Sequence, residues 1–329
     1  MTVRTIESKN QSIEQSEGDG ARVRRAIGNY TKRRFDPFLL MDHFNSDGQN
    51  GFPQHPHKGQ ETISYILSGA FAHEDFTGSK GILYPGDLQF MTAGKGIVHS
   101  EMPVPFDGSN NIGIQLWVDL PNHLKNTNPR YRDLKEWEIP EVVEQDGKLT
   151  IKVISGKSYG VESVKELAYT PIDYYYMKMK PGAHFEQQVK PDFNYFLYVL
   201  DGNSLDLNGT SIKKHDITFF NRDGDTIVGK HNGKDDKTIE FVLIGGQVQN
   251  QNSIQHGPFV AETLEEIRNA YVDFQYGRNG FEKVKTWKPV LNDYGLISQD
   301  VIDNKLGGSW EKRQREKAKW LKENKPQVS

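Results

Sequence analysis

Two octapeptides in opposite halves of the chain carry one pattern: TISYILSG (Thr62–Gly69) and YFLYVLDG (Tyr195–Gly202). Each is followed by a loop and then by an Asp at the head of an apolar run, in PGDLQF (Pro85–Phe90) and KHDITFF (Lys214–Phe220). Repetition over this distance points to one β-unit built twice. The remaining runs agree. ETISYILSG, NIGIQLWVDLP, LTIKVISG, YYYMKMKPG and KTIEFVLIGG are short, rich in Ile, Val, Tyr and Phe, and punctuated by Gly, Pro, Asn or Asp, as strands of sandwiches and barrels are. Helical patterns are few. One is AETLEEIRNAYVDFQYG, where Thr263 and Glu266 have capping-box spacing; another is the tail from Ser309, a natural N-cap. The expectation is an all-β protein: two β-barrel or jelly-roll domains in tandem, a few short helices and a C-terminal helical tail. The expected bounds are 1–135, 136–262 and 263–329, with the joint in the polar stretch Asn122–Gly147.

Composition narrows the functional classes. Across 329 residues, 41 Lys and Arg face 44 Asp and Glu, a net charge of −3, which argues against a general nucleic-acid binder. The chain has no cysteine, so disulfides, thiolate metal sites and cysteine nucleophiles are excluded. No apolar run is long enough to span a bilayer, and the N-terminus lacks an apolar signal core. The expected location is the cytoplasm, with the nucleus as an additional one.

The chemistry concentrates in two alternating pairs: His55 and His57 in GFPQHPHKGQE, and His99 and Glu101 in GIVHSEMP. In a strand, residues i and i+2 point to the same face. If the two strands lie together, three imidazoles and one carboxylate meet, a donor set for a divalent transition metal with positions left for substrate or O2. Between the pairs lie a strand, a loop, the Pro85–Gly86 turn, a second strand and the glycines Gly94 and Gly96, enough chain to leave and return. Aligning the repeats on their glycines places Gln188 and Lys190 at the His55 and His57 positions. Aligning them on Asp87 and Asp216 places Val228 and Lys230 at the His99 and Glu101 positions, with His184 out of register. A metal is therefore expected in the first half alone. His43 and His73 read as polar neighbours or exposed residues. Gln115, Trp117 and Asp119 form a stripe that is either a cavity wall or ordinary strand alternation.

The order HxH, an acid, Pro-Gly and a third His resembles the cupin pattern, in which the acid after HxH often ligates. That acid is Glu61 here, and Glu101 competes with it. A more specific resemblance runs through nearly the whole chain. RFDPFLLMDHF (Arg34–Phe44), GFPQHPHKGQETISYILSG (Gly51–Gly69), HEDFTG (His73–Gly78), PGDLQFMTAGKGIVHSEMP (Pro85–Pro103), QLWVDLP (Gln115–Pro121), QHGPFV (Gln255–Val260) and NGFEKVKTW (Asn279–Trp287) are similar to the pirin family of iron-binding, two-cupin proteins. The resemblance implies a bicupin with ligands His55, His57, His99 and Glu101, and makes Glu61 a supporting acid. It implies iron (Fe2+/Fe3+), one per chain in the first domain; the residues themselves leave nickel, copper, manganese, cobalt and zinc open. It also implies quercetin 2,3-dioxygenase-type activity on a flavonol and O2, with Glu101 as ligand and general base. The alternative it implies is a non-enzymatic, iron-dependent redox sensor that binds transcription factors or metabolic enzymes. A further possibility is a scaffold that keeps its metal for stability. The resemblance suggests a monomer, with no direct nucleic-acid or membrane contact.

At the ends, Arg22, Arg24, Arg25, Lys32, Arg33 and Arg34 form a basic patch, read as charged strand ends or as a site for an anionic partner. From Glu311 to Lys325 the tail carries mixed charges suited to a solvated helix, with Trp310 and Trp320 available to pin one side.

Overall fold

The computed structural model describes residues 1–17, 21–47, 51–164, 167–233, 236–292 and 297–324. The first strands are β1 (Ile6–Gln11), β2 (Glu14–Glu17), β3 (Ala21–Ile27), β4 (Phe38–Ser46), β5 (Phe52–His57), β6 (Gln60–Ser68), β7 (Ala70–Asp75), β8 (Lys80–Leu83), β9 (Leu88–Thr92), β10 (Ile97–Val104), β11 (Asn111–Asp119) and β12 (Arg130–Leu134). The second half adds β13 (Glu141–Glu144), β14 (Leu149–Ser155), β15 (Lys157–Ser158), β16 (Val161–Glu162), β17 (Ile172–Met179), β18 (His184–Gln188), β19 (Phe193–Asp201), β20 (Leu205–Leu207), β21 (Thr210–Ile212), β22 (Asp216–Phe220), β23 (Thr226–His231) and β24 (Ile239–Gln247). The hairpin β25 (Ile254–His256) and β26 (Phe259–Ala261) and the helices α1 (Leu264–Tyr276), α2 (Gln299–Asn304) and α3 (Trp310–Glu323) follow.

The fold is a bicupin. Each unit packs a seven-stranded sheet against a four-stranded one: β12-β9-β6-β11-β4-β3-β2 with β5-β10-β7-β8, and β1-β22-β19-β24-β17-β14-β13 with β18-β23-β20-β21. The two orders correspond strand for strand. One substitution in that correspondence has no signal in the strand pattern. The edge place that β12 fills beside β9 is filled beside β22 by β1, from the head of the chain. Arg4 anchors this crossing, fully buried, donating to the carbonyls of Phe193, Lys190 and Gly224.

The outer faces of the seven-stranded sheets form the central core: Ile63, Tyr65, Phe90 and Leu116 meet Tyr174, Phe196, Tyr198 and Val242. This explains why YFLYVL reads as a continuous apolar run. Tyr195, Leu197 and Val199 fill the inside of the second unit, while Phe196, Tyr198 and Leu200 face the seam, and a strand buried on both faces has no polar side.

The capping box of α1 is present, with Thr263 and Glu266 exchanging bonds, and Gly277 closes the helix in the left-handed region. Ser309 caps α3. That tail helix is docked. Arg313 is buried and makes a two-point contact to Asp87 at 2.6 and 2.8 Å, while Trp310 packs on Tyr84 and Phe106. Trp320 lies within α3, and Lys325 falls outside the described residues.

Candidate metal centre

Strand β5 is an edge strand, which is where Pro53 and Pro56 are tolerated, since neither donates to a ladder. Its partner β10 brings His99 opposite His55, but two residues further on Glu101 pairs with Phe52. The extra residue on β5 is a bulge, a device that re-aims side chains beside sites. Behind them, Gly96 (φ +145°) lies so close to the Phe281 ring that a Cβ would stand 2.7 Å from it. The return of β10 needs glycine there.

The strands bring His55, His57 and His99 together, with one ring nitrogen of each within 4.8 Å of the others. His99 Nε2 and His55 Nε2 are 2.9 Å apart. The Nδ1–H of His55 donates to the Pro53 carbonyl at 2.7 Å, which leaves its Nε2 as a lone pair. His57 Nε2 is buried without any hydrogen-bond partner. Burial drives the basicity of all three rings down, and neighbouring imidazoles add to this for His57 and His99. Three neutral imidazoles with converging nitrogens, one orphaned, fit a divalent cation better than they fit each other.

Glu101 stands at the edge of this cluster, its Oε2 3.9 Å from His99 Nε2. The Ser64 hydroxyl and the Gln115 amide each approach its carboxylate at 3.4 Å, and Ser64 donates to Gln115 at 3.0 Å. Burial raises the Glu101 carboxyl to about 7, against the opposing pull of His73 and Ser64; an added cation would lower it again. Two of the histidines, Glu101 and Gln115 line a cavity of about 500 Å³ whose apolar walls include Leu40, Phe44, Phe52 and Trp117.

The other sequence candidates land elsewhere. Glu61 accepts from Thr92 and from the backbone N–H groups of Tyr169 and Thr170, tying the second unit's leading segment to the first. It is a structural acid. His73 sits opposite Glu101 on β7 and contacts Asp133 at 3.2 Å. His43 belongs to the seam, against Tyr198 and His215. Gln115 and Trp117 do form a cavity wall. Asp119 does not: a bulge follows Trp117, and Asp119 is buried against Arg34, Lys125 and Gln251.

The basic patch is largely engaged in ion pairs. Arg22 and Arg24 meet Glu14, Lys32 meets Glu7, and Arg25 binds Asp42 and Glu17 on the cavity lining. Sequence reasoning missed Arg25 as a lining residue, along with Gln60, whose amide lies 2.7 Å from His57 Nδ1. It also missed the lining role of Gly257 and Pro258. Proximity of Gln60 to HxH was the one available signal.

In the second unit the register corrects the glycine-based alignment. Val228 pairs with Glu186, and Thr226 with Gln188, as His99 pairs with His55 and Ile97 with His57. Glu186 and Gln188, rather than Gln188 and Lys190, therefore stand at the HxH positions. The glycine alignment ignored a two-residue difference in the turn between strands. The second unit still lacks the histidine set, and among the described residues the three-histidine cluster is the one grouping of its kind.

Comparison with known proteins bears on the whole chain. The Pirin family model matches residues 20–118, and the model for the pirin C-terminal cupin domain matches residues 174–280. Human pirin is 45% identical over 286 residues, covering 86% of this chain and 96% of its own. The chain belongs to the pirin family. The tomato (Solanum lycopersicum) pirin-like protein is 41% identical, covering 86% of this chain and 96% of its own. Among solved structures, quercetin 2,3-dioxygenase from Acinetobacter baumannii superposes with a TM-score of 0.76 at 26% identity, covering 84% of this chain and 98% of that one. The nickel(II) complex of the bacterial pirin YhhW from Escherichia coli gives a TM-score of 0.58 at 19% identity, covering 73% and 99%, a likeness of fold.

Proposed function

We propose that the chain is a metal-dependent flavonol 2,3-dioxygenase, in which a flavonol and O2 give a depside and carbon monoxide. The observation that carries this reading is the convergence of His55, His57 and His99, with Glu101 at 3.9 Å, beside a cavity of about 500 Å³. That volume is in the usual range for small-molecule sites. The likeness to a quercetin 2,3-dioxygenase supports it. In the proposal His55, His57, His99 and Glu101 hold the ion. Three imidazoles and a carboxylate suit iron, with nickel, copper, manganese, cobalt and zinc as alternatives. The bound ion supplies the electron exchange with O2 that no side chain of this chain offers.

The residues do the rest. Glu101 removes the proton of the flavonol 3-hydroxyl; the Gln115 amide faces its carboxylate, and the Ser64 hydroxyl, donating to Gln115, fixes that amide in place. Without the ion, burial places this carboxyl at about 7; a bound cation would lower it and so keep Glu101 ionised and able to accept the proton. Trp117, Phe44 and Phe52 flank a flat ring system and exclude water from it.

The test is turnover of quercetin by metal-loaded protein under O2, followed as loss of flavonol absorbance. Glu101→Gln should lower kcat by about 100-fold or more, the usual scale for a general base. A Glu101→Gln protein with full metal content and full activity would remove Glu101 as the base. Metal-loaded wild-type protein that leaves quercetin and its analogues intact would remove the enzyme reading.

A further inference from the structure

We propose that Gln60 is a positioning residue of the metal centre: its carboxamide sets the proton and ring orientation of His57, and through it the affinity of the site. The proposal rests on the metal reading above. Gln60 is the first residue of β6, three after His57, and is completely buried. Its amide lies 2.7 Å from His57 Nδ1 and 3.4 Å from the Pro258 carbonyl, and its Oε1 is buried without a partner.

The three imidazoles differ in what sits behind them. His55 Nδ1 meets the backbone carbonyl of Pro53. His99 Nδ1 is buried and unpartnered. Among the three, His57 alone is oriented by a side chain, so it is the ligand whose basicity a substitution can tune.

A carboxamide suits this place because it has two ends. With no cation present, the ring can carry its proton on Nε2, and the amide N–H donates to Nδ1. When a cation takes the Nε2 lone pair, the proton resides on Nδ1 and the amide presents its oxygen. Glutamine serves both forms of His57. Glutamate, the same shape but acceptor-only when ionised, serves the metal-bound form alone. Methionine serves neither.

The experiment compares wild type, Gln60→Met, Gln60→Glu and His57→Ala using cobalt(II), with affinity read by chelator competition and ligand field by the visible spectrum. Gln60→Met should bind cobalt about 10–100-fold more weakly, the cost typical of losing such a partner, with displaced visible bands. Gln60→Glu should bind at least as tightly as wild type. Wild-type affinity and spectrum in Gln60→Met, or equal weakness in both Gln60 variants, would overturn the assignment. If Gln60→Met does not fold, the isosteric Gln60→Glu decides alone: binding weaker than wild type overturns the proposal. His57→Ala separates the two levels. If it binds cobalt as tightly as wild type, the metal reading itself fails; if it loses cobalt while Gln60→Met does not, only the Gln60 inference fails.

Discussion

The two cupins share a sheet order and differ in what they point inward. On β6 the residues facing inside are Thr62 and Ser64; at the same steps before the shared glycine, β19 has Tyr195 and Leu197. Opposite Ser64 stands Gln115, and opposite Leu197 stands Leu243. Where the first unit sets His55 against His99, the second sets Glu186 against Val228. The second unit has a full apolar interior from Tyr175, Phe185, Leu197, Phe241 and their neighbours. The first has used much of that interior for a polar site, and its compensation comes from outside. Phe259, Ile267 and Phe281 pack beside Ile97 and Val98, and Leu291, Ile302 and Leu306 pack beside Ala72 and Met102. The C-terminal segment thus supplies apolar burial to the unit whose inner face carries the histidine cluster. A functional cavity in a small β-sandwich removes core, and the chain restores it elsewhere.

The largest expected effect tests this asymmetry directly. If the proposed centre holds the metal, His57→Ala removes one of its donor nitrogens, so metal affinity should fall by more than the roughly 100-fold upper cost of an outer partner. Glu186→Ala and Gln188→Ala, at the matching rungs of the second unit, should leave both affinity and a stoichiometry of one metal per chain unchanged. Elemental analysis and competition titration measure this. Metal retained in His57→Ala and lost in Glu186→Ala would invert the comparison.

The two turn aspartates sharpen it next. Asp87 and Asp216 do the same local work, accepting from the backbone N–H groups of Tyr84 and Lys213. Their long-range partners differ. Asp87 is fully buried against Arg313 of α3, whereas Asp216 meets the partly exposed Lys9 of β1 at 3.4 Å. Arg313→Ala leaves a buried carboxylate without its principal partner and should cost about 3–5 kcal/mol. Lys9→Ala should cost less, about 1 kcal/mol, because the Lys9 ammonium is part-exposed to water and its 3.4 Å contact to the buried Asp216 is the looser of the two. Urea denaturation separates them. Equal costs would mean that α3 contributes little to the first unit.

Much of this was legible in the residues. Alternation in HxH and HxE is a local property of strands, so the three-histidine convergence followed from spacing once the strands were assumed to pair. The YFLYVL run announced a strand buried on both faces. What spacing could not carry was register across a gap of unknown length, hence the two-residue error at Glu186. Nor could it show which distant segment closes an edge. β1 in the second sheet, Arg313 on Asp87 and Pro258 beside His57 are all contacts between residues far apart in sequence. None leaves a periodic trace, because each joins segments whose own local patterns do not encode the partner.

The seam between the units offers the smallest and most specific effect. His43 of the first unit lies 3.3 Å from the hydroxyl of Tyr198, which also faces His215 of the second at 3.4 Å. Burial, then the neighbouring His215, Arg24 and Lys214, push the His43 imidazole down to about 3; burial with Arg24 and Lys214 takes His215 down to about 4, with Asp201 and Glu14 opposing. A histidine whose folded pKa is depressed binds fewer protons folded than unfolded. Stability therefore falls as pH drops from the ordinary 6.5 toward about 3, and below that no further change arises from this group. The slope from His43 is at most ~1.4 kcal/mol per pH unit. Glu101, raised to about 7, acts in the opposite sense between 4.5 and 7, so the total profile mixes the two. The difference between wild type and His43→Gln cancels the Glu101 contribution and isolates the seam. Gln keeps a polar group near Tyr198 without the titration. Its acid limb, from urea midpoints at pH 7, 5.5 and 4.5, should be shallower than that of wild type. Parallel limbs would show that the seam opens before His43 is protonated, and that the two cupins separate more easily than their shared apolar core implies.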